Sequence, residues 1–276
     1  MQRHHDHYNP DQSVQFFAGQ EEKMNTEAIL YRNTLTEIMD KILGEMDTIQ
    51  KASRVVAESI AKEELVHVIG PGGHSNMAAE EILWRAGGLA PINAILDPGT
   101  NLIHGAKRSN FIERTPGYAT KVLDAYRVGR KPGEVIIVVN AYGVNSMCID
   151  TALEAKKRKM ITIGITSRSF ADALSKDHPS RHPSGKNLYQ EVDYFLNCHL
   201  PYGDAIVEIK NCSQKTGPTS TFCNVFTINL LMIETVKRLV EMGVQPPLWM
   251  SANLPGGDET NRSLEEKYIP RIKHLG

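Results

Sequence analysis

The chain has little that would tie it to a membrane, a nucleic acid or an oxidising compartment. Its 276 residues carry 31 Lys and Arg against 32 Asp and Glu, a formal net charge of -1. No general attraction for polyanions or anionic lipid follows from that balance, so any anion site must be built locally. No apolar run approaches the roughly 20 residues that span a bilayer, and the opening "MQRHHDHYNPDQ" lacks the apolar stretch of a signal peptide. The four cysteines, Cys148, Cys198, Cys212 and Cys223, have no close metal-ligand spacing and sit in mostly apolar segments. Buried, reduced thiols in a cytoplasmic protein are expected, with no metal and no cofactor.

Three stretches are distinguished by pattern. Residues 1–23 are polar, histidine-rich and aperiodic, as in a flexible extension; "HHDH" within them is read as solvated rather than as a metal site. Residues 24–245 read as one domain. Residues 246–276 form a tail with proline turns, expected to pack on the domain or on a partner subunit. At the domain's start Leu35, Ile38, Met39, Ile42, Met46 and Ile49 share one helical face, which predicts a long N-terminal helix over about 25–62.

Beyond it short apolar runs alternate with helical or loop segments: "LVHVI" (65–69), "INAILD" (92–97), "EVIIVVN" (134–140), "MITIGI" (160–165) and "DYFLNC" (193–198). Such alternation implies an α/β protein with a mainly parallel sheet covered on both faces. Ligands of such sheets bind beyond the carboxyl ends of the strands. Two of those ends carry a turn that passes into a helix, "GPGGHS" and "NAYGVNS", and "GPTST" (217–221) starts a late helix. Free backbone N–H groups and small polar side chains at helix starts suit an anion or a sugar. One pocket is therefore expected from Gly72, Gly73, His74 and Ser75, from Asn140, Tyr142, Asn145 and Ser146, and from Thr219 and Ser220.

These segments resemble the sugar isomerase (SIS) domain family over about residues 25–245. "IGPGGHS", "PYGDA" and "SAN" make the chain most similar to the stand-alone, phosphoheptose-isomerase-like bacterial members. The resemblance implies a three-layer, flavodoxin-like five-stranded parallel sheet, a homodimer or higher homo-oligomer, and a small-molecule sugar ligand. Its phosphate loop reads Ser-x-Ser-Gly-x-Thr, of which this chain keeps only Gly143 in register, with Ser146 following. The zinc of phosphoheptose isomerases is not carried over, because Glu81 and Arg85 stand at the positions where its ligands begin.

Aldose–ketose isomerisation moves a proton between adjacent carbons through an enediol or enediolate, which calls for a carboxylate or imidazole base and a donor near the carbonyl oxygen. Glu81, soon after the glycine turn, is the first candidate base. The polar segment 96–119 supplies His104 as proton shuttle or donor, Glu113 as alternative base and Arg114 to pair with an anionic group, and reads either as a lid over the pocket or as a segment that reaches a partner subunit's pocket. The expected function is thus an isomerase of a phosphorylated or otherwise anionic sugar. A non-catalytic sugar-phosphate sensor and a sugar-phosphate lyase or etherase are the alternatives. No helix-turn-helix precedes residue 65, and a dinucleotide site would lack its third glycine. His178 and His182 are each followed by proline, which breaks the helical spacing a metal pair needs. His67 is read as a satisfied core histidine. The late helix, apolar on most faces over 222–233, is expected to face both the sheet and a second copy.

Overall fold

The computed structural model describes residues 26–276, so the histidine-rich stretch 1–23 lies outside the described residues. Helices α1 (Thr26–Leu43) and α2 (Met46–Ala61) lead into β1 (Val66–Ile69), a one-turn 3-10 helix and α3 (Asn76–Glu81). Then come β2 (Ile92–Ile95), α4 (Ala106–Ile112), α5 (Tyr118–Ala125) and β3 (Val135–Val139). They are followed by α6 (Ser146–Lys157), β4 (Ile161–Thr166), α7 (Arg168–Ala173), α8 (Leu188–Glu191) and β5 (Tyr194–Asn197). A small hairpin, β6 (Ala205–Val207) with β7 (Thr216–Pro218), precedes α9 (Ser220–Glu241) and α10 (Gly257–Tyr268). The long N-terminal helix is present but divided at Gly44 and Glu45. His199, at the end of β5, meets the Glu45 carboxylate at 2.8 Å and fixes that break against the sheet.

All five large-sheet strands are parallel, in the order β2-β1-β3-β4-β5. Every residue of β1, β2 and β3 is buried, which is why these strands read as continuous apolar runs rather than alternating ones. Alternate side chains still divide between two cores. Val66, Val68, Ile92, Val135, Ile137 and Val139 pack under α1, α2 and α9, with Ile42, Val56 and Leu231. Ile69, Ile95, Ile136 and Val138 pack on the opposite face with Leu123 and Met147 of α5 and α6. This order reverses direction between β1 and β3, and a doubly wound sheet opens its ligand crevice at that switch point.

The tail packs on its own domain. Trp249, Tyr268 and Ile272 bury against Ala90, Trp249 rests on Trp84 with ring centroids 4.5 Å apart, and Leu248 bridges to Leu89.

At the amino end of the sheet, away from the crevice, His67 is 5% exposed and fully engaged. Its Nε2 is 3.0 Å from Glu134 Oε2 and its Nδ1 2.9 Å from Asn93 Nδ2. Glu134 also accepts from the backbone N–H groups of Gly129 and Lys131 at 2.9 and 2.7 Å. Burial pulls its carboxyl upward, but the hydrogen bonds from His67, Lys131 and Gly129 outweigh this and leave it below the ordinary glutamate value. A depressed carboxyl contributes stability above its unfolded pKa and loses it as pH falls through the folded one. Glu134→Ala is therefore expected to cost about 2–4 kcal/mol near neutral pH, read as a lower urea midpoint, and the gap to the unmodified protein should narrow in acid.

Candidate functional site

The glycine turn after β1 exists because the chain doubles back on itself. A Cβ on Gly70 would overlap the backbone of Ser75 and Asn76, and Gly72 sits at φ +128° with a Cβ position that would overlap Glu113 Oε2. Pro71, between them, offers its carbonyl to two amides from the β3 side: Asn140 Nδ2 donates at 3.0 Å and Asn145 Nδ2 at 3.1 Å. Their oxygens are used as well. Asn140 Oδ1 accepts from Gly143 N, and Asn145 Oδ1 caps α6 by accepting from Cys148 N, both at 2.8 Å. The two loops at the switch point are thereby fastened to each other.

A cavity of about 240 Å³ opens between them, lined by Gly72, Gly73, His74 and Ser75, by Asn140, Tyr142 and Asn145, and by Ser220 at the start of α9. Its remaining wall comes from the segment after β2, through Leu102, Ala106, Ser109, Asn110 and Glu113. That segment is anchored rather than loose: Ser109 Oγ donates to Thr100 O at 2.7 Å and receives Gly73 N at 3.3 Å, while Glu113 O accepts Met147 N at 2.9 Å.

Glu113 is the unusual charge of the cavity. Burial pushes its carboxyl up to about 7, and the nearby Arg114 charge offsets this only in part. Asp204, from the loop that carries "PYGDA", also lines the cavity and was not among the expected site residues. It holds the start of α9, accepting from Thr219 N at 2.8 Å, Ser220 N at 2.7 Å and Ser220 Oγ at 2.9 Å. This carboxylate does for the helix what an N-cap side chain would do locally. Its backbone is left-handed, at φ 67°. Burial, and after it the charge of nearby Asp204, pushes the Tyr142 phenol up to about 12. Among the described residues no Lys or Arg lines the cavity.

Five sequence candidates fall elsewhere. Glu81 lies in the neighbouring cleft, paired with Arg85 at 3.1 Å and facing Asn229 of α9 at 3.4 Å. Six residues of helix turn a side chain by about 240° relative to Ser75, which carries Glu81 away from the glycine turn. His104 is exposed in the turn preceding α4, outside the lining. Arg114 is exposed beside Glu113. Thr219 is fully buried beneath the α9 start, and Ser146 is fully buried behind Asn145 with its Oγ lacking a partner among the described residues. His178 and His182 each accept from a serine two residues on, at 2.7 Å to the hydroxyl, so both are turn residues; His182 also reaches Asp150 at 3.1 Å. No cluster of three or more metal-ligating side chains occurs among the described residues, nor any helix long and apolar enough to cross a membrane.

An acid whose folded pKa is raised favours folding most when protonated, so the Glu113 contribution is fully present below its unfolded pKa and is lost as pH rises toward 7. Glu113→Gln should therefore be more stable than the unmodified protein above pH 7, by about 2 kcal/mol, and little different in mild acid. Thermal melts across that pH range test it.

The family model described as "SIS domain" matches residues 30–167. A UPF0309 protein of Halalkalibacterium halodurans is 36% identical over 246 residues, covering 89% of this chain and 96% of its own. A UPF0309 protein of Geobacillus kaustophilus is 37% identical over 246 residues, covering 89% and 95%. Among solved structures, a phosphoheptose isomerase from Francisella tularensis aligns with TM-score 0.46 at 14% identity, over 79% of this chain and 100% of that one. A switch-point cavity on a 2-1-3-4-5 sheet and these sequence matches lead to one assignment: the chain belongs to the SIS-domain family, among its UPF0309 members.

Proposed function

We propose that the protein is an aldose–ketose isomerase in which Glu113 is the base. The observation that carries this is a carboxyl at about 7 on the wall of a cavity of about 240 Å³, lying against the backbone of Gly72. A general base works best when its pKa lies near the working pH, because it is then both available and strong enough. Glu113 removes the proton from the carbon beside the substrate carbonyl. The electron pair left behind forms the enediolate, and the same carboxyl returns the proton to the adjacent carbon. His74, exposed at the cavity mouth, moves the hydroxyl proton between the two oxygens, and Ser75 donates to the developing oxyanion.

The sugar's charged end, phosphate or another oxyanion, is assigned to the start of α6. Its dipole presents a partial positive charge there, at the lining residue Asn145. Pairing of two copies belongs to the same proposal. An open cleft lined by Met77, Trp84, Phe222 and Phe226 adjoins the cavity through Ser220 and Thr221, and is the face assigned to the second copy.

Exchange of the substrate's α-proton with deuterated water, followed over a panel of aldose and ketose phosphates and free sugars, tests the chemistry. Exchange should rise with pH around a midpoint near 7, since the ionised carboxylate is the active form. Glu113→Gln should lower the rate by about 10²–10⁴-fold with ligand affinity nearly unchanged. No exchange with any sugar that binds would remove the isomerase and leave a sensor; retained exchange in the variant would remove Glu113.

A further inference from the structure

Tyr142 gives the cavity a flat aromatic wall. Tyr142 is 41% exposed and lines the cavity, yet one face of its ring is covered by Phe170, with centroids 4.2 Å apart and planes 10° from parallel. Phe170 in turn stacks with Tyr202 at 5.4 Å and 28°. Asp204, which lines the same cavity, is fixed by the backbone N–H groups of Thr219 and Ser220. A tyrosine stacked on one face by a buried ring presents its other face in one plane.

We propose that this face of Tyr142 is a platform on which the ligand's closed sugar ring stacks. The inference rests on the sugar-ligand assignment above and specifies the form in which that sugar binds. A pyranose has C–H groups on its faces and hydroxyls around its rim, and an aromatic ring face carries the partial negative charge that attracts those C–H groups. The surroundings complement the rim. Around Tyr142 stand the carboxylates Glu113 and Asp204, the Asn110 amide and the hydroxyls of Ser75 and Ser220, with neither Lys nor Arg among the lining side chains. Acceptors of that kind suit a ring edge made of O–H donors. An apolar face bordered by a few fixed polar groups is also the usual composition of a small-molecule site. An isomerase built this way takes up the cyclic sugar and opens it in place.

Methyl pyranosides of glucose, galactose and mannose, each with and without a 6-phosphate, are suitable probes because a methyl glycoside cannot open to the carbonyl form. Their proton spectra are recorded with the protein. The expected result is saturation transfer and an upfield ring-current shift confined to the protons of one sugar face, for at least one probe. Tyr142→Phe should retain the shift, because the ring and its Phe170 contact remain. Tyr142→Leu should abolish the shift and weaken binding about tenfold, with the melting temperature of each variant recorded to confirm folding. Absence of any shift across the panel, or a shift that survives in Tyr142→Leu, overturns the platform. The two proposals fail separately: a shift on closed rings without α-proton exchange on free sugars keeps the platform and removes the isomerase, whereas exchange without a shift does the reverse.

Discussion

The site depends on a single oxygen atom. Pro71 O receives the side-chain amides of both Asn140 and Asn145, and these are the two residues that bracket the turn after β3. Without that junction the β1 turn and the β3 turn would be separate loops at the end of a sheet. With it they form one rigid floor at the point where strand order reverses. The buried carbonyl also gains two donors it would otherwise lack, which matters because an unpaired buried backbone group is costly. Asn140 and Asn145 line the cavity, but much of their hydrogen-bonding capacity is committed to building it.

Around that floor the walls are contributed by distant parts of the chain. The segment after β2 brings Glu113 against Gly72, and the segment after β5 brings Asp204 against Ser220. Each is held by backbone as well as side-chain bonds: Met147 N to Glu113 O, and Thr219 N and Ser220 N to Asp204. Two carboxylates thus share one small volume with different duties. Asp204 is tied up by several donors, while burial of Glu113 favours its neutral form until about pH 7.

Much of the fold was legible because its signals are local. Five mainly apolar runs became the five strands within a residue or two, and in β1, β2 and β3, where every residue is buried, both faces call for apolar side chains. The glycine turn and the polar start of α6 were legible for a similar reason: positive φ and capping leave marks within a few residues. The hairpin of β6 and β7 was not, being three residues per strand with no periodicity to detect. Glu113 was visible as a charge in a long polar segment, but its burial depends on contacts with Gly72 and the α6 start that no window reveals. Asp204 was harder still. It stands 15 residues from the helix whose start it holds, so the "PYGDA" motif carried the family likeness without disclosing the residue's physical role. Glu81 is close to the glycine turn along the chain, but a short helix turns it toward α9 and into the neighbouring cleft.

The double use of Asp204 limits how this corner of the molecule can diverge. In many helices the capping residue can be exchanged freely among Asp, Asn, Ser and Thr, because nothing else depends on the choice. Here the capping group comes from outside the helix, and the same residue lines the cavity together with Tyr142. A substitution that relieved the left-handed backbone at position 204 would also change what the cavity presents to its ligand. Chain stability and the cavity's polar lining are therefore coupled at this position, because the carboxylate that holds the first turn of α9 is also part of the cavity wall.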